Sequence, residues 1–302
     1  MEDIKKRIAT NKLRNYIFMI IGLLSTLVGL ILLLVLFIDL FLDGYPRLSY
    51  KFFTSFSSRF PEEAGILSAW VGTSLLMLVT AAVAIPLGVG AGIYLEEYAG
   101  KNWVTNIIEI NISNLAGVPS IIYGLLALGL FVYFFKFGES ILTGGLALAL
   151  LILPMVIMAT REAIRAIPNS IREASYALGA TKWQTVRNHI IPYSAGGILT
   201  GIIIGLSRAI GETAPIITVG ALTFIAFLPS PPITSEFPFI SFKWLKDPFT
   251  VMPIQMFNWV SRPQAEFHIN AAAAGIVLLI MTLIMNGIAI YIRYRFRKKI
   301  KW

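Results

Sequence analysis

Arg208 and Glu212 are the only charged residues in a long apolar stretch, Asn188 to about Leu228, and they are the chain's leading candidates for chemistry. They stand four residues apart, a spacing that lets two side chains meet on a helix. A charge inside a membrane span costs at least about 2.5–3.5 kcal/mol, so such residues pair with one another, line a watery path, or do both. Arginine suits an oxyanion, because its planar fork offers paired, charge-assisted hydrogen bonds. Thr213 adjoins the pair and Pro215 follows it, a combination that frees backbone groups beside a cavity. Two other readings stay open: a purely structural ion pair, and a glutamate that only neutralises its arginine.

Little else in the sequence converges on catalysis. There is no cysteine, and His189 and His268 stand too far from other ligands to argue for a metal. Gly88, Gly90 and Gly92 lack the strand before and the helix after that a phosphate-cradling loop requires, and read as close helix packing. No catalytic residue and no metal site are expected.

A second motif lies between apolar windows. Pro168 blocks any helix arriving from upstream, Ser170 and Glu173 have capping-box spacing, and Gly179 is placed to end a helix. A short helix of about eight residues is expected there, followed by a second helical stretch from Lys182 to about Asn188. Ala174, Ala177 and Leu178 are poorly suited to full exposure and invite a partner's groove, against the plainer reading of a surface loop.

The elements that must position these residues are membrane spans. Of the 302 residues 57% are hydrophobic and 14% charged, and mean hydropathy is +0.76. A soluble domain has about 45–50% apolar and about 25% charged residues. The net charge of +9 does not point to nucleic acid, because the basic residues sit at the edges of apolar runs. Five windows free of charge are long enough to cross a bilayer: Ile17 to Ile38, Ala64 to Leu95, Ile110 to Phe135, Ser140 to Thr160 and Phe267 to Ile292. The Arg208 stretch makes a sixth. The first window is too long for a signal peptide's apolar core and is read as an uncleaved span.

Lys and Arg number 17 in the N-terminal tail, second loop, fourth loop and C-terminal tail, against 7 in the opposite loops. Both termini and the fourth loop should therefore be cytoplasmic. The divisions are residues 1–63 (tail, first span and external loop), a spanning core at 64–295 with a cytoplasmic loop at about 161–191, and a basic tail at 296–302. Pro86, Pro119, Pro154 and Pro215 fall within spans and can kink them. Gly197, Gly201 and Gly205 form a stripe that admits another helix. On an unbroken helix Glu212 would lie about 20° and Arg208 about 60° from the face of Gly205, turning both charges inward. Glu109 reads as an interfacial or packing carboxylate. In the external loop, Phe249 to Val260 reads as an amphipathic surface helix with Met252, Met256 and Trp259 on one side, either buried at the interface or touching a delivery protein or sister subunit.

Glu173-Ala174-Ser175, then three residues, Gly179, and later Ile191-Pro192 resemble the E-A-A…G…I-x-L-P loop of importer-class ABC-transporter permeases. Ser175 replaces the second alanine, and His189 stands where the motif usually has isoleucine. Ser207-Arg208-Ala209-Ile210-Gly211-Glu212-Thr213-Ala214-Pro215 is similar to the A-R-A-x-G-E-T-A-P segment of phosphate-importer permeases, with Phe249 to Gln255 and Asn258-Trp259 in support. The resemblance covers about residues 65–295. It implies an all-α integral membrane protein of six transmembrane helices with the importer-type, MetI-like permease fold. It further implies a homologous second permease, a dimer of ATP-binding subunits, an extracytoplasmic phosphate-binding protein and surrounding lipid as partners. ATP and Mg would be used by the ATPases, with no cofactor bound by this chain.

The resemblance places ATPase coupling at Glu173, Ala174, Ser175, Leu178 and Gly179, and, with the chemistry above, the substrate pathway at Arg208, Glu212 and Thr213. Phosphate at neutral pH still carries a proton that Glu212 can accept, whereas sulfate carries none, so an unpaired carboxylate would penalise sulfate. A permease for another substrate, an autonomous ion-coupled anion transporter and a membrane-embedded enzyme are the other classes. Co-purification with an ATPase separates the ABC permease from the last two.

Overall fold

Proline and glycine decide where an apolar window becomes one helix and where it becomes two. The computed structural model describes residues 2–100, 102–233 and 239–298. Lys101 and the last four residues of the expected basic tail lie outside them.

The chain begins with α1 (Glu2–Gly44), a one-turn α2 (Tyr50–Thr54), and α3 (Leu67–Ile93) prolonged by a π-helical turn, Tyr94–Tyr98. Next come α4 (Trp103–Leu115) and α5 (Ser120–Ala127), the latter prolonged by π-helical Leu128–Phe134. They are followed by α6 (Ile141–Arg165), α7 (Asn169–Ala177), and α8 (Lys182–Thr185), which runs through a π turn into α9 (Ile191–Gly211). The short α10 (Ala214–Thr218), α11 (Met252–Val260) and the long α12 (Ala265–Lys298) complete it. Five helices are long and apolar enough to cross a membrane, and α4 with α5 makes a sixth if counted as one span. At about 1.5 Å per residue, the 43 residues of α1 extend well beyond a hydrocarbon core of about 30 Å.

Two windows are broken, and not merely kinked, at prolines that the sequence places within spans. The third bends by 107° between α4 and α5. Pro119 has no N–H to continue the ladder and disfavours helical backbone at Val118. It becomes the N-cap of α5. The Leu115 carbonyl freed by the break accepts from the Tyr123 hydroxyl at 2.6 Å and from the Val118 N–H at 3.1 Å. The Asn188 window also stops early. Its helix ends at Gly211, and Glu212 is extended with φ −78° and ψ 130°. Pro215 explains this, since its ring would meet the carbonyl four residues back, at Gly211, in a continuous helix. Instead it occupies the first turn of α10.

The core is a three-helix contact in which α6 lies between α3 and α9. Gly88 and Gly92 of α3 face Val156 and Thr160 of α6, and Gly145 of α6 faces Val79 of α3. On the other side Gly197 and Gly201 of α9 abut Ala163 and Ala159 so closely that a β-carbon at Gly201 would sit 2.2 Å from that of Ala159. The glycine stripe is thus used within the chain. Leu148, Ile152 and Val156 fill the centre.

At the end of the bundle away from α7, α11 is a core element and not the surface helix expected. Met252, Ile254, Gln255 and Trp259 are buried, with Met252 and Trp259 packed among Phe52, Ile66 and Phe267, while Phe257 and Val260 stay exposed. Its entry is fixed by the Met252 N–H donating to Thr73 Oγ1 at 2.9 Å.

Candidate substrate pathway and coupling face

The structure brings Arg208 and Glu212 together across the end of α9. Arg208 Nε lies 3.3 Å from Glu212 Oε1, a single charged contact at the edge of hydrogen-bonding range. Within the described residues the two terminal guanidinium nitrogens of Arg208 make no further hydrogen bond, so the fork is free to accept an oxyanion. The side chains retain 36% and 21% of their accessible surface. The helix break explains why they do not turn inward with the stripe. Glu212 has left the helix, and Arg208 follows Ile204, which is 54% exposed, along the open side of α9.

The surroundings of the pair are discontinuous backbone. Thr213 is the N-cap of α10 and its carbonyl accepts from Ile216 and Ile217, while its hydroxyl caps nothing. α10 packs on α5, where Gly124 admits the backbone of Pro215 and the side chain of Thr218. Tyr123, one residue before, turns its hydroxyl to the Leu115 carbonyl at the other break. Both helix breaks therefore meet beside the pair. Two side-chain contacts hold α9 to α12: Ser207 Oγ lies 2.7 Å from Asn286 Oδ1, and Arg293 donates to Thr200 Oγ1 at 2.9 Å.

At the other end, α7 has an inner and an outer face. Glu173, Ala174, Ala177 and Leu178 point outward, and Leu178 is 90% exposed. Ser175 points inward, buried, with its Oγ 2.9 Å from Thr185 Oγ1. It therefore ties α7 to α8 and presents nothing on the outer face. Gly179 has φ +81° and ends the helix: its N–H donates to Tyr176 O and the Ala180 N–H to Ser175 O, the paired bonds of a Schellman cap. The capping box assigned to Ser170 and Glu173 does not form, because α7 starts two residues earlier than that box requires, with Pro168 as N-cap. A capping box joins Thr181 and Gln184 instead and starts α8.

Sequence reasoning missed the polar network beneath this loop. Arg172 lies 2.6 Å from Glu97, whose side chain is 5% exposed, and also donates to the carbonyls of Ile164 and Ile167. Arg161, 3% exposed, reaches Glu109 at 2.6 Å and Glu96 at 3.5 Å, and Arg165 holds Glu96 at 3.0 Å. The signal was present: acidic residues cluster at the same membrane face as the arginines, but a topology count weighs only Lys and Arg. Glu109, read as an interfacial or packing carboxylate, is an ion-pair partner that joins α4 to α6.

A long α9 set against α6, a short helix hung between the spans and a charged break within one span define a membrane-embedded transport subunit. The chain belongs to the family described as binding-protein-dependent transport system inner membrane component, which matches residues 84–301. It is 32% identical over 296 residues to the probable ABC transporter permease protein YqgI of Bacillus subtilis (strain 168), covering 96% of this chain and 97% of that protein. It is also 32% identical over 297 residues to the phosphate transport system permease protein PstA of Yersinia pestis, covering 95% and 92%. Among solved structures, a bacterial alginate ABC transporter in complex with an alginate pentasaccharide-bound periplasmic protein superposes with TM-score 0.65 at 14% identity, covering 93% of this chain and 95% of that one. The fold is the importer-type permease fold, and the chain is a multi-pass membrane permease of the ABC importer class.

Proposed function

We propose that the chain is the permease subunit of an ATP-driven importer of inorganic phosphate. In this reading it forms the pathway with a homologous second permease, and a dimer of ATP-binding subunits drives it through the outer face of α7. An extracytoplasmic phosphate-binding protein delivers the substrate. Both chain ends lie in the cytoplasm, ATP and Mg²⁺ are used by the partner subunits, and this chain binds no cofactor and breaks no bond.

One observation carries the assignment of the pathway: α9 stops at Gly211 and leaves Arg208 and Glu212 half-exposed beside free backbone. Charges left facing lipid would be costly, and irregular backbone at membrane depth is tolerated where protein or water covers it. The exposed side of the pair therefore belongs against a second subunit and a watery path. Because the pair is local to one segment, it joins no two spans of this chain, which weakens the reading of a purely structural link. Similarity to PstA of Yersinia pestis supports phosphate as the cargo.

The steps follow from the residues. ATP binding draws the ATPases and their docked helices together, the pore opens outward, and phosphate leaves the binding protein. Arg208 turns its free nitrogens to two phosphate oxygens, and Glu212 accepts a hydrogen bond from the protonated one. Sulfate offers Glu212 no proton and meets a bare carboxylate. The test is uptake by the reconstituted assembly in vesicles, with phosphate and sulfate compared. ATP-dependent uptake of phosphate in large excess over sulfate is expected. Phosphate uptake that needs no ATPase, or ATP-driven uptake of another solute with phosphate excluded, would overturn the proposal.

A further inference from the structure

The chain links α7 directly to α6 on one side and to α8 and α9 on the other. It has no covalent route to α3 or α4, so any displacement of α7 reaches those helices through side chains. The structure shows which ones. From α7, Arg172 reaches Glu97 in the π turn that ends α3. From the last turns of α6, Arg165 holds Glu96 in the same π turn, and Arg161 grips Glu96 and, in α4, Glu109.

Arg161 is the node of this set. It is almost wholly withdrawn from water, its Nε finds no partner, and the two carboxylates are the hydrogen-bond and ion-pair partners that its guanidinium has among the described residues. α4, by contrast, buries none of its own residues. The Arg161–Glu109 contact is thus the strongest polar hold on a helix that is otherwise loosely attached. The other end of α4 is the break at Ala116–Pro119, where Tyr123 takes the Leu115 carbonyl, one residue before the Gly124 that admits Pro215 just after the Arg208–Glu212 pair.

We infer that Arg172 and Arg161 are positioning residues that carry the stroke of α7 to the substrate pathway. Arg172 passes it to α3 through Glu97, and Arg161 passes it to α4 through Glu109. α4 then acts as a lever whose far end moves the break beside Arg208. Buried ion pairs suit this task, since separating them strands a charge away from water and the joined ends move together. The inference rests on the proposal that α7 meets the ATPase, but concerns what happens after that contact.

The chain has no cysteine, so Asn114→Cys, at the exposed end of α4, gives it a single thiol whose maleimide labelling reports on the break. In the reconstituted assembly, labelling should change at least threefold when ATP is added. Glu109→Gln keeps the side chain's shape and removes its charge. It should leave assembly and ATP hydrolysis within twofold, abolish the nucleotide-dependent change in labelling, and lower phosphate moved per ATP at least tenfold. Arg172→Glu alone should uncouple in the same way, and Arg172→Glu with Glu97→Arg should regain most of the lost transport per ATP. Unchanged labelling response in Glu109→Gln would overturn the relay. So would a proportional loss of hydrolysis and transport, or a failure of the reversed pair to recover. If α7 does not meet the ATPase at all, Leu178→Asp will leave co-purification intact, a result that defeats the docking proposal and not the ion-pair geometry.

Discussion

The two charged regions of this permease are built in opposite ways. At the α7 end, three arginines and four glutamates make five close oppositely charged contacts, several of them withdrawn from water. At the break in α9, one arginine and one glutamate share a single 3.3 Å contact and stay half-exposed. A mutually satisfied network resists change, and breaking a buried pair costs about 3–5 kcal/mol. A half-exposed pair with spare donors exchanges partners cheaply. The first arrangement suits transmission of a movement, and the second suits brief contact with an anion that must be released.

Variants that break this contrast should have the largest effects. Arg208→Ala removes the donors offered to the substrate, and hydrogen bonds to charged groups are worth about 1.5–3 kcal/mol, or roughly 10- to 100-fold. Phosphate uptake should fall by that factor at least while the complex still purifies intact, and Arg208→Lys should lose less because it keeps the charge without the fork. Leu178→Asp places a charge on the most exposed apolar residue of α7. It should reduce ATPase co-purification at least about tenfold, since about 1.4 kcal/mol suffices for that, with membrane insertion unchanged. Gly201→Leu drives a side chain into Ala159. Overpacking of this kind costs about 1–3 kcal/mol, and a lowered thermal midpoint of the purified complex checks it.

The smallest effect sharpens the contrast within α7 itself. Ser175→Ala removes the inward bond to Thr185, worth about 1 kcal/mol. It should lower thermal stability slightly and leave co-purification with the ATPase unchanged. Lost co-purification in this variant would place Ser175 on the docking face after all.

What the sequence revealed depended on the range of each signal. Apolar windows are long-range averages, and they located every spanning element. The short helix α7 was legible because Pro168 and Gly179 act on their own backbone. Capping was not, since Ser170 carries the right spacing but α7 takes Pro168 as its N-cap and leaves Ser170 within its first turn. The breaks at Pro119 and Pro215 were legible as kinks, but a kink and a sharp break have the same local cause. They differ in which tertiary partner takes the freed carbonyl, here the Tyr123 hydroxyl. The Arg208–Glu212 pairing followed from spacing, while its exposure followed from the break. The ion-pair network was legible only as acidic and basic residues gathered at one membrane face, because its pairing joins Glu97 to Arg172 across 75 residues of chain.

The central claim is that Arg208 and Glu212 meet the substrate. The most direct test is phosphate uptake by the double variant Arg208→Ala with Glu212→Ala in the reconstituted assembly, measured beside Arg208→Ala alone. If the pair lines the pathway, the double variant assembles and hydrolyses ATP but takes up phosphate no better than the single one. If the pair only neutralises itself, removing both charges restores uptake, and recovery to near the level of the unaltered protein would contradict the account.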